Sequence, residues 1–188
     1  TSTPQRCSMS KGAGNPKDAD SSHRVGSLYS LAHPIKMGYK AYHRKNPQLQ
    51  AENSYGEYGI FPLEGLWTST DADNPLDKDK FQYTIMIRYP EFIPQEMLNE
   101  LLEEVKQKKT EPLLKEVYCD QMEEGLCVQA LHKGSFDDEL ETFDKMDAFI
   151  QAQGYQRLNA YHREIYLNDA RKTAPEKRST ILRYQIKM

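Results

Sequence analysis

The stretch 161-YHREIYL-167 decides how the rest of the chain is read. Successive side chains of a strand point to opposite faces, so Ile165 and Leu167 share one face while His162, Glu164 and Tyr166 share the other. Two readings stay open for that second face. A surface strand would turn it to water, where a carboxylate is ordinary. A strand lining a binding site would set an acid beside a phenol where a ligand can reach both.

Working outward, "TILRYQIK" (180–187) reads as the next and final strand, reached through the basic, proline-containing loop "NDARKTAPEKRS". Arg163 and Arg171 are expected to face solvent. Upstream, "GLCVQALHKGS" (125–135) alternates as a strand. Ser135 then caps a helix with Asp137 and Asp138 in its first turn and an apolar stripe of Leu140, Phe143, Met146 and Ile150.

The first half repeats this order. A short strand over about Arg6 to Lys11 ends in "KGAGNP", whose GxG is too weak a pattern to mark a phosphate loop. "HRVGSLYSLAHPIKM" spaces Val25, Leu28, Leu31 and Ile35 as a helix that Pro34 should kink or end, and Gly38 to Glu57 reads as a loop. "YGIFPLEGLW" (58–67) and "FQYTIMIRYP" (81–90) follow as strands, with Glu64 and Trp67 on opposite faces of the first. Pro94 opens a helix whose stripe is Met97, Leu98, Leu101, Leu102 and Val105.

The elements therefore run β-α-β-β, an added helix, then β-α-β-β, an α+β pattern in one domain over 1–188. The halves cover about 6–93 and 122–188, joined by a helical connection over 94–121. "YGIFPLEGLW" and "AYHREIYL" occupy the same slot in their halves and each carries a central glutamate. Packed about a pseudo-two-fold axis, Glu64 and Glu164 would face each other across the seam; the alternative is two unrelated surface glutamates.

Composition narrows the class. At 188 residues the chain can bury a substantial core. A formal charge of −3 gives no bulk attraction to nucleic acid or an anionic membrane. No apolar run approaches the roughly 18 to 20 residues that span a bilayer, and no signal-peptide pattern opens the chain, so a cytoplasmic location is expected. The start at Thr1 without a methionine reads as a trimmed or appended beginning. Cys7, Cys119 and Cys127 are odd in number and lack CxxC spacing, as befits reduced thiols rather than disulfides or zinc ligands. The five histidines form no HxxxH or HExxH pair, no GxSxG elbow is present, and no helix-turn-helix precedes the first strand. Neither metal, cofactor nor direct nucleic-acid binding is expected.

The segments "IFPLEGLW", "YTIMIRYPEF", "LHKGSFDDELETFDKM" and above all "HREIYLNDARKTAPEKRSTILRY" resemble the stand-alone bacterial GyrI-like small-molecule-binding proteins. The likeness runs from about Lys11 to Lys187. It implies a tandem pseudo-two-fold βαββ repeat with a ligand cavity between the halves, related to the effector-binding domain of multidrug-responsive regulators. In those domains an acidic strand residue in an aromatic pocket meets flat, cationic, apolar ligands, and by strand position the match is Glu164. Some stand-alone members hydrolyse the cyclopropane ring of DNA-alkylating cyclopropanoid natural products.

Applied to these residues, the resemblance makes Glu164 the general base that draws a proton from water, with Tyr166 positioning that water or a substrate oxygen. Glu64, Trp67, Tyr58, Tyr83, Tyr89 and His132 are candidate ligand contacts, the aromatics being either stacking platforms or plain core and His132 either a pocket group or a satisfied strand histidine. The expected partner is a planar hydrophobic or cationic small molecule. Two other functions stay in play: a non-catalytic binder or sensor of such molecules, and a protein-binding gyrase modulator.

Overall fold

The computed structural model describes residues 4–48 and 56–188. The segment 49–55, within the expected loop from Gly38 to Glu57, lies outside the described residues. Strand β1 (Gln5–Ala13) leads into helix α1 (Ala19–Lys45), then β2 (Leu63–Ser69) and β3 (Phe81–Tyr89). Helix α2 (Gln95–Lys108) and a short strand β4 (Tyr118–Met122) connect to β5 (Cys127–Lys133) and α3 (Glu139–Ala152). The two-residue β6 (Gln156–Arg157), β7 (His162–Tyr166) and β8 (Ser179–Lys187) complete the chain.

The strands form one antiparallel sheet in the order β4-β1-β3-β2-β7-β8-β5, with β6 on β8. Read outward from the central β2–β7 pair, the order is β2-β3-β1 on one side and β7-β8-β5 on the other. Helix α1 packs on β1 and β3 and against α2, and α3 packs on β5 and β6. The β2–β7 seam thus runs between the footprints of α1 and α3.

Helix α1 does not stop at Pro34. Leu28, Leu31, Ala32, Ile35, Tyr39 and His43 keep one buried stripe going for three turns past the point where a break was expected. A proline removes the amide that would bond the carbonyl four residues back, here that of Ser30. Lys109 Nζ donates to that carbonyl at 2.9 Å, so the orphaned acceptor is satisfied from outside the helix. The buried stripe and this substitute donor outweigh the proline.

Three further expectations change. The strand expected from Tyr58 begins only at Leu63, after Pro62. Strand β4, an edge strand on β1, was not expected, because "YCDQM" carries no alternating apolar pattern. In α3 the inward stripe is Glu139, Met146 and Ile150, while Leu140 is 50% exposed. Glu139 lies seven residues before Met146, two helical turns up the same face, and Leu140 lies about 100° away.

Gly12 has a packing reason rather than a phosphate-binding one. A Cβ there would lie 2.3 Å from Tyr83 Cζ, so the bare backbone makes room for the Tyr83 ring.

Candidate functional site

The helix-facing side of the seam carries Trp67 and Gly65 from β2 and His162, Glu164 and Tyr166 from β7. Trp67 pairs with Tyr83 on one side and His162 on the other, and Gly65 pairs with Glu164. The Trp67 and Tyr83 ring centroids are 4.8 Å apart, a tilted stack. Phe136 meets the Tyr166 ring edge-on at 5.7 Å, and Phe143 meets His162 at 5.0 Å. The single acid of this strand face therefore sits within aromatic walls drawn from β2, β3, β7 and α3.

A polar relay runs through those walls. Trp67 Nε1 donates to Tyr166 Oη at 3.0 Å. With that oxygen already accepting, the phenol proton is left for the neighbouring Glu164 carboxylate. Burial, followed by the charge of Glu164, raises the Tyr166 pKa well above its ordinary value, which keeps it a neutral donor. On its other side, Glu164 Oε1 lies 2.9 Å from His162 Nε2, which donates when protonated.

A second carboxyl group enters from above. Glu139, the first residue of α3, is 7% exposed, and its Oε1 is buried with no hydrogen-bond partner among the described residues. Burial, reinforced by the charge of Glu164, pushes its pKa up to about 9. Near neutral pH, burial and the neighbouring Glu164 therefore favour the protonated, neutral form of Glu139.

The turn that carries Glu139 and Phe136 is held on both sides. Both ring nitrogens of His132 are engaged, Nδ1 at 2.9 Å from Thr142 Oγ1 and Nε2 at 2.9 Å from the Ser135 carbonyl. Asp137 pairs with Lys78 at 2.7 Å and Lys17 at 3.4 Å, tying the start of α3 to the first half.

Of the residues singled out from the sequence, Glu164, Tyr166, Trp67 and Tyr83 converge. Glu64 does not join them. It pairs with Ile165 rather than Glu164, so the two glutamates point to opposite sides of the sheet. Glu64 is fully buried on the reverse side, where Arg163 Nη2 reaches Glu64 Oε2 at 2.5 Å and Arg88 Nε lies 2.8 Å from its other oxygen. Arg163, expected in solvent, is 2% exposed and also pairs with Glu124 at 2.9 Å, and Glu124 pairs with Arg183 as well. Burial opposes the Arg163 charge, but Glu64 and Glu124 outweigh it and hold its pKa above the ordinary value.

Tyr89 lies six residues along β3 from Tyr83, about 20 Å away at ~3.3 Å per residue, with its hydroxyl 3.3 Å from Ser8 Oγ. Tyr58 is half-buried and packs with Tyr39 and Phe92 at ring distances of 6.3 and 6.1 Å, at the edge of the first half's core and away from the seam. His132 is committed to the α3 turn. Burial pushes the thiols of Cys7 and Cys119 up to about 12, which makes them poor nucleophiles. Among the described residues no helix is long and apolar enough to cross a membrane.

The sequence does not single out Glu139 as a candidate, and the signal for its burial is its place seven residues before Met146. Hydrophobicity alone favours Leu140, which is 50% exposed.

The sheet bears helices and encloses an acid among aromatics between β2 and β7, and the class of protein with this fold is a small-molecule-binding domain. The chain belongs to the GyrI-like family: the GyrI-like small molecule binding domain matches residues 39–187. A Listeria innocua structure described as an uncharacterized conserved protein is 33% identical, with a TM-score of 0.82, covering 98% of this chain and 88% of that one. A structure described as a hydrolase, also from Listeria innocua, is 30% identical with a TM-score of 0.77 and the same coverage. The EcmrR C-terminal domain shares the fold at 12% identity and a TM-score of 0.52, covering 99% of this chain and 93% of that one. No curated protein matches the chain.

Proposed function

We propose that this protein binds a planar, apolar or cationic small molecule at the β2–β7 seam and hydrolyses it. The substrates that suit the site are cyclopropanoid DNA-alkylating compounds, whose ring opening would protect the cell. The observation that carries this reading is the buried carboxyl of Glu139, its Oε1 without a hydrogen-bond partner among the described residues, near Glu164 and the Trp67–Tyr166 bond; burial favours its protonated form.

The roles follow from those states. Glu164 takes a proton from water as the water oxygen bonds to the cyclopropane methylene carbon. The ring C–C bond breaks, and its electron pair moves through the conjugated system to a carbonyl oxygen, which takes the proton of Glu139. Tyr166 orients Glu164, and the aromatic walls hold the flat ligand. The substrate gains one water, and the proton returns from Glu164 to Glu139 through solvent. An acid and a base set in place each contribute roughly 100- to 10,000-fold. The hydrolase description of a relative at 30% identity supports the reaction class.

The enclosed carboxylate also favours a second reading, retention of planar cations without turnover, with each aromatic contact adding about 0.5 to 2 kcal/mol. Incubation with a cyclopropanoid alkylator followed by mass spectrometry separates the two. A water adduct formed by the wild type supports hydrolysis, whereas saturable binding with unchanged mass leaves the binder.

A further inference from the structure

We propose that Gly65 is the positioning residue of this site, its missing side chain holding the Trp67 indole against Tyr166. The proposal rests on Glu164 and Tyr166 being the working pair, but its geometry exists without ligand. A Cβ built on Gly65 would lie 2.3 Å from Trp67 Nε1, 2.9 Å from Trp67 Cε2 and 3.1 Å from Tyr166 Oη. Gly65 does not have the positive φ found at Gly14, Gly125, Gly134 and Gly154, so conformational freedom is not the reason for a glycine here. Space is the reason.

The consequence passes along the seam. Gly65 is the strand partner of Glu164, so the slot it leaves opens beside the carboxylate. The indole folds back into that slot and places its N–H on Tyr166 Oη. An oxygen that accepts there sends its own proton toward Glu164. A methyl group at position 65 would push the indole out, break the Trp67–Tyr166 bond and leave the phenol proton free to turn elsewhere.

The chain has one tryptophan, so its indole N–H gives a single nitrogen–proton NMR resonance that reports the contact directly. In ligand-free protein, Gly65→Ala and Tyr166→Phe should each move that resonance and speed its exchange with water. Turnover of a cyclopropanoid alkylator by Gly65→Ala should fall roughly 100-fold with KM changed far less, the signature of a misplaced group. A resonance unmoved in Gly65→Ala overturns the proposal.

If Gly65→Ala proves too unstable to isolate, the same alanine in a Trp67→Leu background decides. It should lower Tm in the native background and leave it nearly unchanged where the indole is gone, and equal losses in both overturn the proposal. Should the resonance move as expected in a protein that never hydrates the alkylator, the role of Gly65 stands and the hydrolase reading falls.

Discussion

Glu64 and Glu164 stand one position out of register on the paired strands β2 and β7, so they project from opposite sides of the sheet. Glu64 faces a buried arginine cluster on the reverse side, and Glu164 faces aromatics beneath the helices. One carboxylate is a structural counter-ion, and the other is the group proposed to meet a ligand.

Glu64→Gln should therefore take one of two carboxylate partners from the buried Arg163, leaving it Glu124, and cost up to about 3 to 5 kcal/mol, the range for breaking a buried pair. Urea denaturation would show a lowered midpoint, with the affinity of folded protein for a planar dye little changed. An unchanged midpoint would contradict a stabilising pair.

Glu164→Gln should keep the shape of the site while removing its base. Hydration of a cyclopropanoid alkylator is expected to drop by roughly 100- to 10,000-fold, and binding of an uncharged planar ligand to persist. Planar cations should bind more weakly. Full turnover in this variant, followed by mass spectrometry, would remove Glu164 from the mechanism.

Glu139 links stability to pH with a definite sign. Its pKa rises from about 4.5 to about 9 on folding. Between those values the native state holds a proton that the unfolded chain has released, so this group lowers stability as pH rises, by at most about 1.4 kcal/mol per unit. Glu139→Gln mimics the protonated form, so melting curves should show a gain over wild type at pH 8 and little difference at pH 4. Its turnover should be low throughout, while wild-type turnover should fall as pH passes about 9. A stability advantage that does not grow with pH would refute the neutral acid.

Lys109→Met should remove the donor that serves the Ser30 carbonyl and cost about 1.5 to 3 kcal/mol, as for a hydrogen bond to a charged group. Pro34→Ala restores the helical amide, so adding it to Lys109→Met should recover much of the loss in thermal melts. Identical costs with and without the proline would break this account of the uninterrupted helix.

Much of the architecture was legible because its signals are local. Helix α2 shows its apolar stripe at helical spacing, and β3 and β8 show their alternation directly. The full length of helix α1 is not legible locally, because the donor that rescues Pro34 comes from Lys109, 79 positions from the carbonyl it serves. The burial of Arg163 was equally hidden, since its partner Glu64 is 99 positions away.

The sequence by itself determined which side chains share a strand face, because alternation is a property of the backbone. That placed His162, Glu164 and Tyr166 together and set Trp67 opposite Glu64. Only the tertiary structure decided which face of one strand meets which face of another, and which side of α3 turns inward. A single-residue offset between β2 and β7 sent Glu64 to the reverse side, and the rotation of α3 about its Met146 and Ile150 contacts brought Glu139 to Glu164 instead. Register and helix rotation are chosen by the sum of packing over the whole sheet, so no short stretch of chain carries them.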